Sequence, residues 1–150
     1  MLEISTEISE LINEIEPLLN QMTDQEARKS IKEGGWSKKQ ILGHLIDSAA
    51  NNHQRIIRGI QNQALAFPTY DQNQWVSIHG YNEVPWIELV ELFCRYNRHL
   101  CRVIEKMPGE SLRNPCNIGK EEPVTLEFVI KDYLRHLRHH IDTIVVRKMY

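Results

Sequence analysis

The chain has 150 residues, of which 41% are hydrophobic and 25% are charged, so we expect one globular domain over residues 1–150 with its own core. The formal charge of -2 provides no basic stripe for phosphates, which argues against a nucleic-acid partner. No apolar run approaches the roughly 20 residues that span a bilayer, and the acidic start does not resemble a signal peptide, so we expect a cytoplasmic protein without a membrane partner.

Apolar residues recur at helical spacing through most of the chain, which predicts an all-α protein without a sheet. We predict the first helix from about Ser5 to Leu19, followed at Thr23 by the capping box TDQE, which opens a short continuation. Gly34 and Gly35 end this segment. The residues of the first helix that we expect to face the core are Ile8, Leu11, Ile12, Ile15 and Leu18.

The second helix begins with another capping box, SKKQ at Ser37, and is predicted to reach about Gln61. Two rows of side chains follow it at helical spacing. The apolar row comprises Leu42, Leu45, Ala49, Ile56 and Ile60. The polar row comprises His44, Ser48, Asn51 and Arg55. Because a polar row usually faces water, His44 taken alone would more often be solvated.

Two further helices follow a long connection. Pro85 suits the first turn of a third helix that reaches about Met107, and Thr125 can cap a fourth that continues to about Lys148. The segment over residues 62–84 can extend beyond about 60 Å, whereas a helix measures about 37 Å, so it can return the chain to the other end. We therefore predict a four-helix bundle in up-down-down-up order, with a long crossing loop between the second and third helices over one end.

Three cysteines, Cys94, Cys101 and Cys116, lack the paired spacing of zinc or redox sites, and we expect them to be reduced and structural. Cys94 and Cys101 are seven residues apart and share one helix face, where a free cysteine behaves as a small core residue. The sequence provides no activating context for any of these thiols, which argues against a catalytic cysteine.

The fourth helix carries three histidines in the stretch HLRHHIDTI. His136 and His140 continue a seam in steps of three and four residues, whose other members are Leu126, Val129, Tyr133 and Ile144. The two imidazoles project side by side, which is the spacing of helical metal sites. The alternative is that each ring bonds a buried carbonyl or carboxylate. His139 points at another angle, and we expect it either to be exposed or to contact a ligand imidazole without binding the metal.

A third ligand has to come from another element, and His44 lies at a suitable height. It is about 10 Å into the second helix, and His140 is about 12 Å from the end of the fourth, so antiparallel packing makes them level. The same comparison excludes His53 and His99, which we expect on the surface, while His79 in the crossing loop stays open as an extra ligand. Three neutral imidazoles leave a divalent ion with an open position, as in catalytic centres.

A resemblance to the DinB/YfiT-like superfamily of metal-dependent enzymes covers nearly the whole chain and rests on WSKKQILGHLIDSAANNHQR, YDQNQWV and HLRHHIDTI. It implies an up-down-down-up bundle that binds Ni, Zn or a similar divalent ion through His44, His136 and His140. Known activities in the superfamily are bacillithiol transfer and mycothiol-dependent maleylpyruvate isomerisation. The resemblance implies a low-molecular-weight-thiol S-transferase or a hydrolase with a small-molecule substrate and a thiol cosubstrate. The alternative is a non-enzymatic stress-response or binding module whose metal is structural.

Side chains near the predicted ligands could serve such a reaction. Asp47, three residues after the first ligand, could orient an imidazole, or be a surface carboxylate. Asn51 and Arg55 could bind a carboxylate or amide of the cosubstrate, or form an interhelix hydrogen bond or salt bridge. Tyr70 and Trp75 could wall the pocket, or pack beneath the loop. Two alternatives remain for the catalytic group, a metal-bound water and a thiolate. A homodimer that forms through helix faces is a further alternative.

Overall fold

The computed structural model describes residues 2–62 and 66–145, and most of them are helical. In chain order the helices are α1 (Leu2–Asn20), α2 (Asp24–Ala27), α3 (Lys38–Ile60), α4 (Gln72–His79), α5 (Trp86–Lys106) and α6 (Leu126–Val145). Single 3-10 turns lie at Tyr81–Glu83 and Gly109–Arg113. The four long helices α1, α3, α5 and α6 form the bundle, and the predicted all-α four-helix architecture is confirmed.

The order of the bundle follows from contacts at its ends. Helices α1 and α3 each pack against both α5 and α6. Trp86, at the start of α5, donates a hydrogen bond from Nε1 to the carbonyl of Leu19 at the end of α1, over 2.8 Å. Lys39, at the start of α3, donates to the carbonyl of Val84 just before α5, over 2.6 Å. Helices α3 and α5 therefore begin at the same end and run parallel, as up-down-down-up order requires.

The helices begin where the capping residues in the sequence predict. Thr23 and Ser37 form complete capping boxes with Glu26 and Gln40, and the Thr125 hydroxyl accepts a hydrogen bond from the backbone of Phe128. Helix α1 begins at Leu2, a little earlier than predicted, and α6 is described to Val145. The predicted end of the fourth helix at Lys148 lies outside the described residues.

The core is a continuous apolar cluster to which all four bundle helices contribute. One predicted inward position of α1 is wrong, because Leu18 is 39% exposed whereas Leu19 is fully buried. Ile8, Ile12 and Ile15 are also buried, and steps of four and three residues lead from them to Leu19. The three cysteines are buried free thiols, as expected. None of the helices in the described part of the chain is long and apolar enough to cross a membrane.

A small sheet contradicts the expectation that the protein has none. Strand β1 (Pro115–Cys116) pairs antiparallel with β2 (Val124–Thr125) in the connection between α5 and α6. The Leu126 backbone continues this contact by donating to the carbonyl of Asn114 over 2.9 Å. Strands of two residues are too short to produce a detectable two-residue alternation, which is why the pattern in the sequence did not indicate them.

The crossing segment between α3 and α5 lies along α3, whereas the sequence predicted a position over one end of the bundle. Near the end of α3 it bridges through Ala66 to Asn117, and near the start of α3 the Tyr81 hydroxyl reaches Asp47. It also contains α4, which begins at its cap Asp71 and ends at Gly80 in the left-handed conformation. The segment therefore covers a face of α3 that would otherwise face water.

Candidate metal centre

Three imidazoles from two antiparallel helices meet near one end of the bundle. His44 comes from the second turn of α3, and His136 and His140 come from the last turns of α6. The Nε2 atoms of His44 and His136 are 3.1 Å apart. One ring nitrogen of each of the three residues lies within 4.8 Å of the other two. The predicted trio is thus brought together, and His44 is only 1% exposed although its polar row suggested solvent.

The donor set suits a divalent transition metal. Bonds of about 2.0 to 2.1 Å place two ligands of one ion about 3.0 to 3.4 Å apart, and the 3.1 Å separation of the two Nε2 atoms fits this range. Burial, together with the neighbouring imidazoles, lowers the pKa of His44 and of His140 to about 4. Burial also lowers the pKa of His136. All three rings are therefore neutral at pH 7, which is the form that binds metals.

Polar contacts fix the ligand rings to different extents. The Nδ1 atom of His136 lies 3.2 Å from the Ser48 hydroxyl, which leaves its Nε2 facing the other histidines. The Trp36 ring packs 5.2 Å from the His44 ring between centroids. The Nδ1 atom of His44 is buried and has no hydrogen-bond partner among the described residues. Ser48 therefore orients one ligand directly, while packing holds another.

Asp47 contacts the crossing segment and does not bond the adjacent ligand ring. Its Oδ1 atom accepts a 2.6 Å hydrogen bond from the Tyr81 hydroxyl and lies 3.2 Å from Nδ1 of His79. Burial raises the pKa of this carboxyl group. Gly43 permits the contact, because a Cβ atom at that position would overlap the Tyr81 ring. His79, considered from the sequence as an extra ligand, is thus paired with Asp47, and its side chain is 44% exposed.

A cavity of about 480 Å³ opens beside His140. Its walls include Trp36, His139 and the first residues of α4, Gln72 and Asn73. His139 is exposed, and its ring lies 5.0 Å from that of His140. Trp36, Gln72 and Asn73 were not among the predicted site residues. Trp36 directly precedes the capping box at Ser37, so its position at the start of α3 could be read from the sequence.

Four other predicted site residues lie where the crossing segment packs on α3, two on the segment and two on the helix. The rings of Tyr70 and Trp75 are 5.1 Å apart and both residues are half-buried. Asn51 donates a 2.9 Å hydrogen bond to the carbonyl of Asp47 on its own helix. Arg55 is half-buried one turn further along.

A second pair of histidines lies elsewhere on α3. His53 is half-buried, which corrects the expectation that it lies on the surface, whereas His99 on α5 is exposed as expected. Their rings are 5.4 Å apart, and Nδ1 of His53 lies 3.2 Å from the Tyr96 hydroxyl. The parallel packing of α3 and α5 brings these residues together, and no third metal donor joins them among the described residues.

A family model described as the DinB superfamily matches residues 7–144. The chain belongs to the DinB superfamily. Among relatives of this DinB-superfamily protein is "Putative metal-dependent hydrolase OB0782" of Oceanobacillus iheyensis, 23% identical over 141 residues that cover 89% of this chain and 81% of the relative. "Putative metal-dependent hydrolase YfiT" of Bacillus subtilis is 26% identical over 124 residues, which cover 80% of this chain and 68% of the relative.

Two solved structures share the fold of this DinB-superfamily protein. YfiT from Bacillus subtilis, described as having "an unusual four-helix bundle topology", matches with a TM-score of 0.86 and 21% identity, over 98% of this chain and 86% of that one. The mycothiol-dependent maleylpyruvate isomerase matches with a TM-score of 0.76 and 13% identity, over 96% of this chain and 60% of that one. At these identities the likeness establishes the fold alone.

Proposed function

We propose that the protein is a metal-dependent enzyme that transfers a low-molecular-weight thiol to an electrophile or hydrolyses a small substrate. One observation carries the proposal. Three neutral imidazoles, one buried and two half-buried, converge beside a cavity of about 480 Å³ that His140 itself helps to line. A closed structural centre has four protein ligands, whereas three ligands beside a cavity leave room for a substrate.

Names of the relatives support both arms of this proposal. Relatives from Oceanobacillus iheyensis and Bacillus subtilis carry the name of metal-dependent hydrolases. One protein of the same fold is an isomerase that depends on mycothiol, which is a thiol. Fold likeness alone does not carry a reaction, so the choice between the two arms falls to experiment.

The ion would be held by His44, His136 and His140, and Zn, Ni, Co and Cu all suit such a donor set. When bound, it supplies a Lewis acid that favours loss of a proton from a thiol or from water at neutral pH. Ser48 keeps the imidazole of His136 turned with Nε2 toward the other two ligands. Trp36 packs against His44 and shields that side of the centre from water.

Activity of metal-loaded and metal-free protein tests this proposal. The thiol arm is assayed with bacillithiol and an aryl halide, and the hydrolase arm with activated esters and amides. We expect at least one arm to run well above background with Zn, Ni or Co in the wild type. We also expect the rate to be lost in His136→Ala and kept in His53→Ala, a matched histidine outside the centre.

The alternative of a structural metal in a non-enzymatic module makes the opposite prediction. Metal would then raise the melting temperature without producing a rate in either arm. In addition, no thiol or ester would change the visible spectrum of the Co-loaded protein, because no coordination position would be open. That combination would contradict the enzymatic proposal while leaving the metal centre in place.

A further inference from the structure

Arg55 is a half-buried cation that makes no hydrogen bond or ion pair with any residue in the described part of the chain. Five other arginines reach an acceptor within hydrogen-bond distance, namely Arg28, Arg58, Arg98, Arg135 and Arg138. Charged groups that leave water are normally paired, because desolvation is costly without a partner. Arg55 therefore has the donors of a guanidinium group, and none of the described residues provides an acceptor for them.

A cavity of about 360 Å³ lies against this side chain. Asn51, Gln54 and Arg58 line it from α3, and Phe67 closes it from the crossing segment. The lining that the structure describes contains two guanidinium groups and no carboxylate. Gln54 already accepts a 3.2 Å hydrogen bond from Nε of Arg58, which leaves Arg55 as the cation without an acceptor. Such a wall attracts an anion, and the volume is that of a small-ligand pocket.

The polar row of α3 runs along the helix from the metal centre to this cavity. Ser48, which contacts the ligand His136, is followed by Asn51 and Arg55 on the same face. Burial raises the pKa of Tyr70, while the nearby charge of Arg55 and a hydrogen bond with Ser48 oppose that rise, so Tyr70 lies close to both. Eleven residues of helix separate the candidate ligand His44 from Arg55, or about 16 Å. A linear molecule of that length can reach from the metal centre to the guanidinium group.

We propose that Arg55 is the anion subsite of the active centre, so that the substrate or cosubstrate carries a carboxylate or phosphate about 16 Å from the group that binds the metal. A guanidinium fork binds either anion through two parallel hydrogen bonds. The inference that a thiol group of this ligand binds the metal rests on the proposed function. The inference that the ligand also carries an anion rests on Arg55 and its cavity alone.

Matched pairs of linear probes separate the two ends. Mercaptododecanoate and mercaptododecanol have the same length and the same thiol but differ in charge, and their binding is followed by the visible spectrum of Co-loaded protein. Octanoate, octyl phosphate and octanol lack the thiol, and their binding to metal-free protein is followed by calorimetry. Each titration is repeated with Arg55→Gln and with Arg102→Gln, an exposed arginine of α5 that serves as the control.

We expect mercaptododecanoate to bind about tenfold or more tightly than mercaptododecanol, and Arg55→Gln alone to remove the difference. The same preference for octanoate or octyl phosphate over octanol is expected without metal, and the stronger of the two identifies the anion. If thiols change the Co spectrum but charge and Arg55→Gln have no effect, the subsite is refuted and the proposed function stands. If no thiol changes the spectrum while Arg55 still selects the anion, the subsite stands and the thiol arm is refuted. Equal binding of octanoate, octyl phosphate and octanol refutes the subsite whatever the thiols do.

Discussion

Helix α3 carries two histidines that each meet imidazoles of another helix, and only one of these groups has the character of a metal centre. His44 meets His136 and His140 of α6, with ring centroids 4.6 to 5.0 Å apart within the trio. His53 meets only His99 of α5, at 5.4 Å, and shares a contact with the Tyr96 hydroxyl. The distances between imidazole rings are therefore similar in the two groups, whereas the number of imidazoles and their burial differ.

The difference arises from the partner helix. Helix α6 presents two histidines four residues apart on its inward seam, so both rings face α3 at one level. Helix α5 presents a single exposed histidine at the edge of its contact with α3. His44 is buried and the two histidines of α6 are half-buried, whereas His99 stays in solvent. The two groups thus differ in the i, i+4 pair of the partner helix and in burial.

The largest expected effect that distinguishes the two groups is stabilisation by metal. Zinc at about a thousand times its Kd should raise the free energy of unfolding by about 4 kcal/mol, since the ion binds only the folded chain. His136→Ala should lose this gain and His99→Ala should keep it, as measured by chemical denaturation with and without zinc. Equal losses in both variants would mean that the two groups do not differ in the way described.

Acid should destabilise the metal-free protein because His44 is buried as a neutral imidazole. The unfolded chain protonates His44 near its ordinary pKa of 6.5, but burial lowers the folded pKa to about 4, so the unfolded state binds more protons between these values. Stability is complete above about pH 6.5 and falls toward pH 4, by about 3 kcal/mol from this residue. Denaturation across this range should show a shallower fall in His44→Gln and an unchanged one in His99→Gln. A flat profile in the wild type would be inconsistent with a buried neutral imidazole at His44.

The packing of the Tyr81 ring on Gly43 is tested by adding one methyl group. Gly43→Ala forces a Cβ atom into the Tyr81 ring, and we expect a loss of about 1 to 2 kcal/mol in the free energy of unfolding from overpacking. Gly109→Ala is the matched control, because no atom lies within 4 Å of the added Cβ. Its change should stay within about 0.5 kcal/mol. Denaturation curves of both variants provide the comparison, and equal stability would show that Tyr81 does not pack as described.

The smallest expected effect concerns the hydroxyl that accompanies each group. Ser48→Ala removes the contact to Nδ1 of His136 and should weaken metal binding about tenfold, as loss of a partner behind a metal ligand usually does. Tyr96→Phe removes the corresponding contact of His53 and should leave the metal Kd unchanged. Competition with a metal-binding dye measures both constants. An effect of Tyr96→Phe as large as that of Ser48→Ala would erase the distinction between the groups.

Local signals account for much that could be predicted from the sequence. Capping boxes at Thr23 and Ser37 start their helices where expected, and the seam of α6 places His136 and His140 beside the core. The height of His44 followed from the rise per residue once the crossing segment made α3 and α6 antiparallel. These predictions succeeded because each depends on spacing within one helix or on the length of one connection.

Features that depend on tertiary contacts could not be predicted in this way. The polar row of α3 resembles a solvated face, because its pattern does not reveal that α6 and the crossing segment will pack against it. Burial of His53 depends on the approach of α5, and the pairing of Asp47 with His79 depends on how the crossing segment folds. The cavity beside Arg55 likewise forms between two elements that are distant in sequence.

X-ray absorption spectroscopy of the zinc-loaded protein tests the central claim most directly. Three imidazole nitrogens at about 2.0 to 2.1 Å, with a further light atom that does not come from a histidine, are predicted for a centre held by His44, His136 and His140. The same spectrum is expected from His53→Ala, and a reduced imidazole count from His44→Ala. A sulfur neighbour at about 2.3 Å in zinc-loaded protein without added thiol, or four imidazoles around the ion, would contradict an open three-histidine centre.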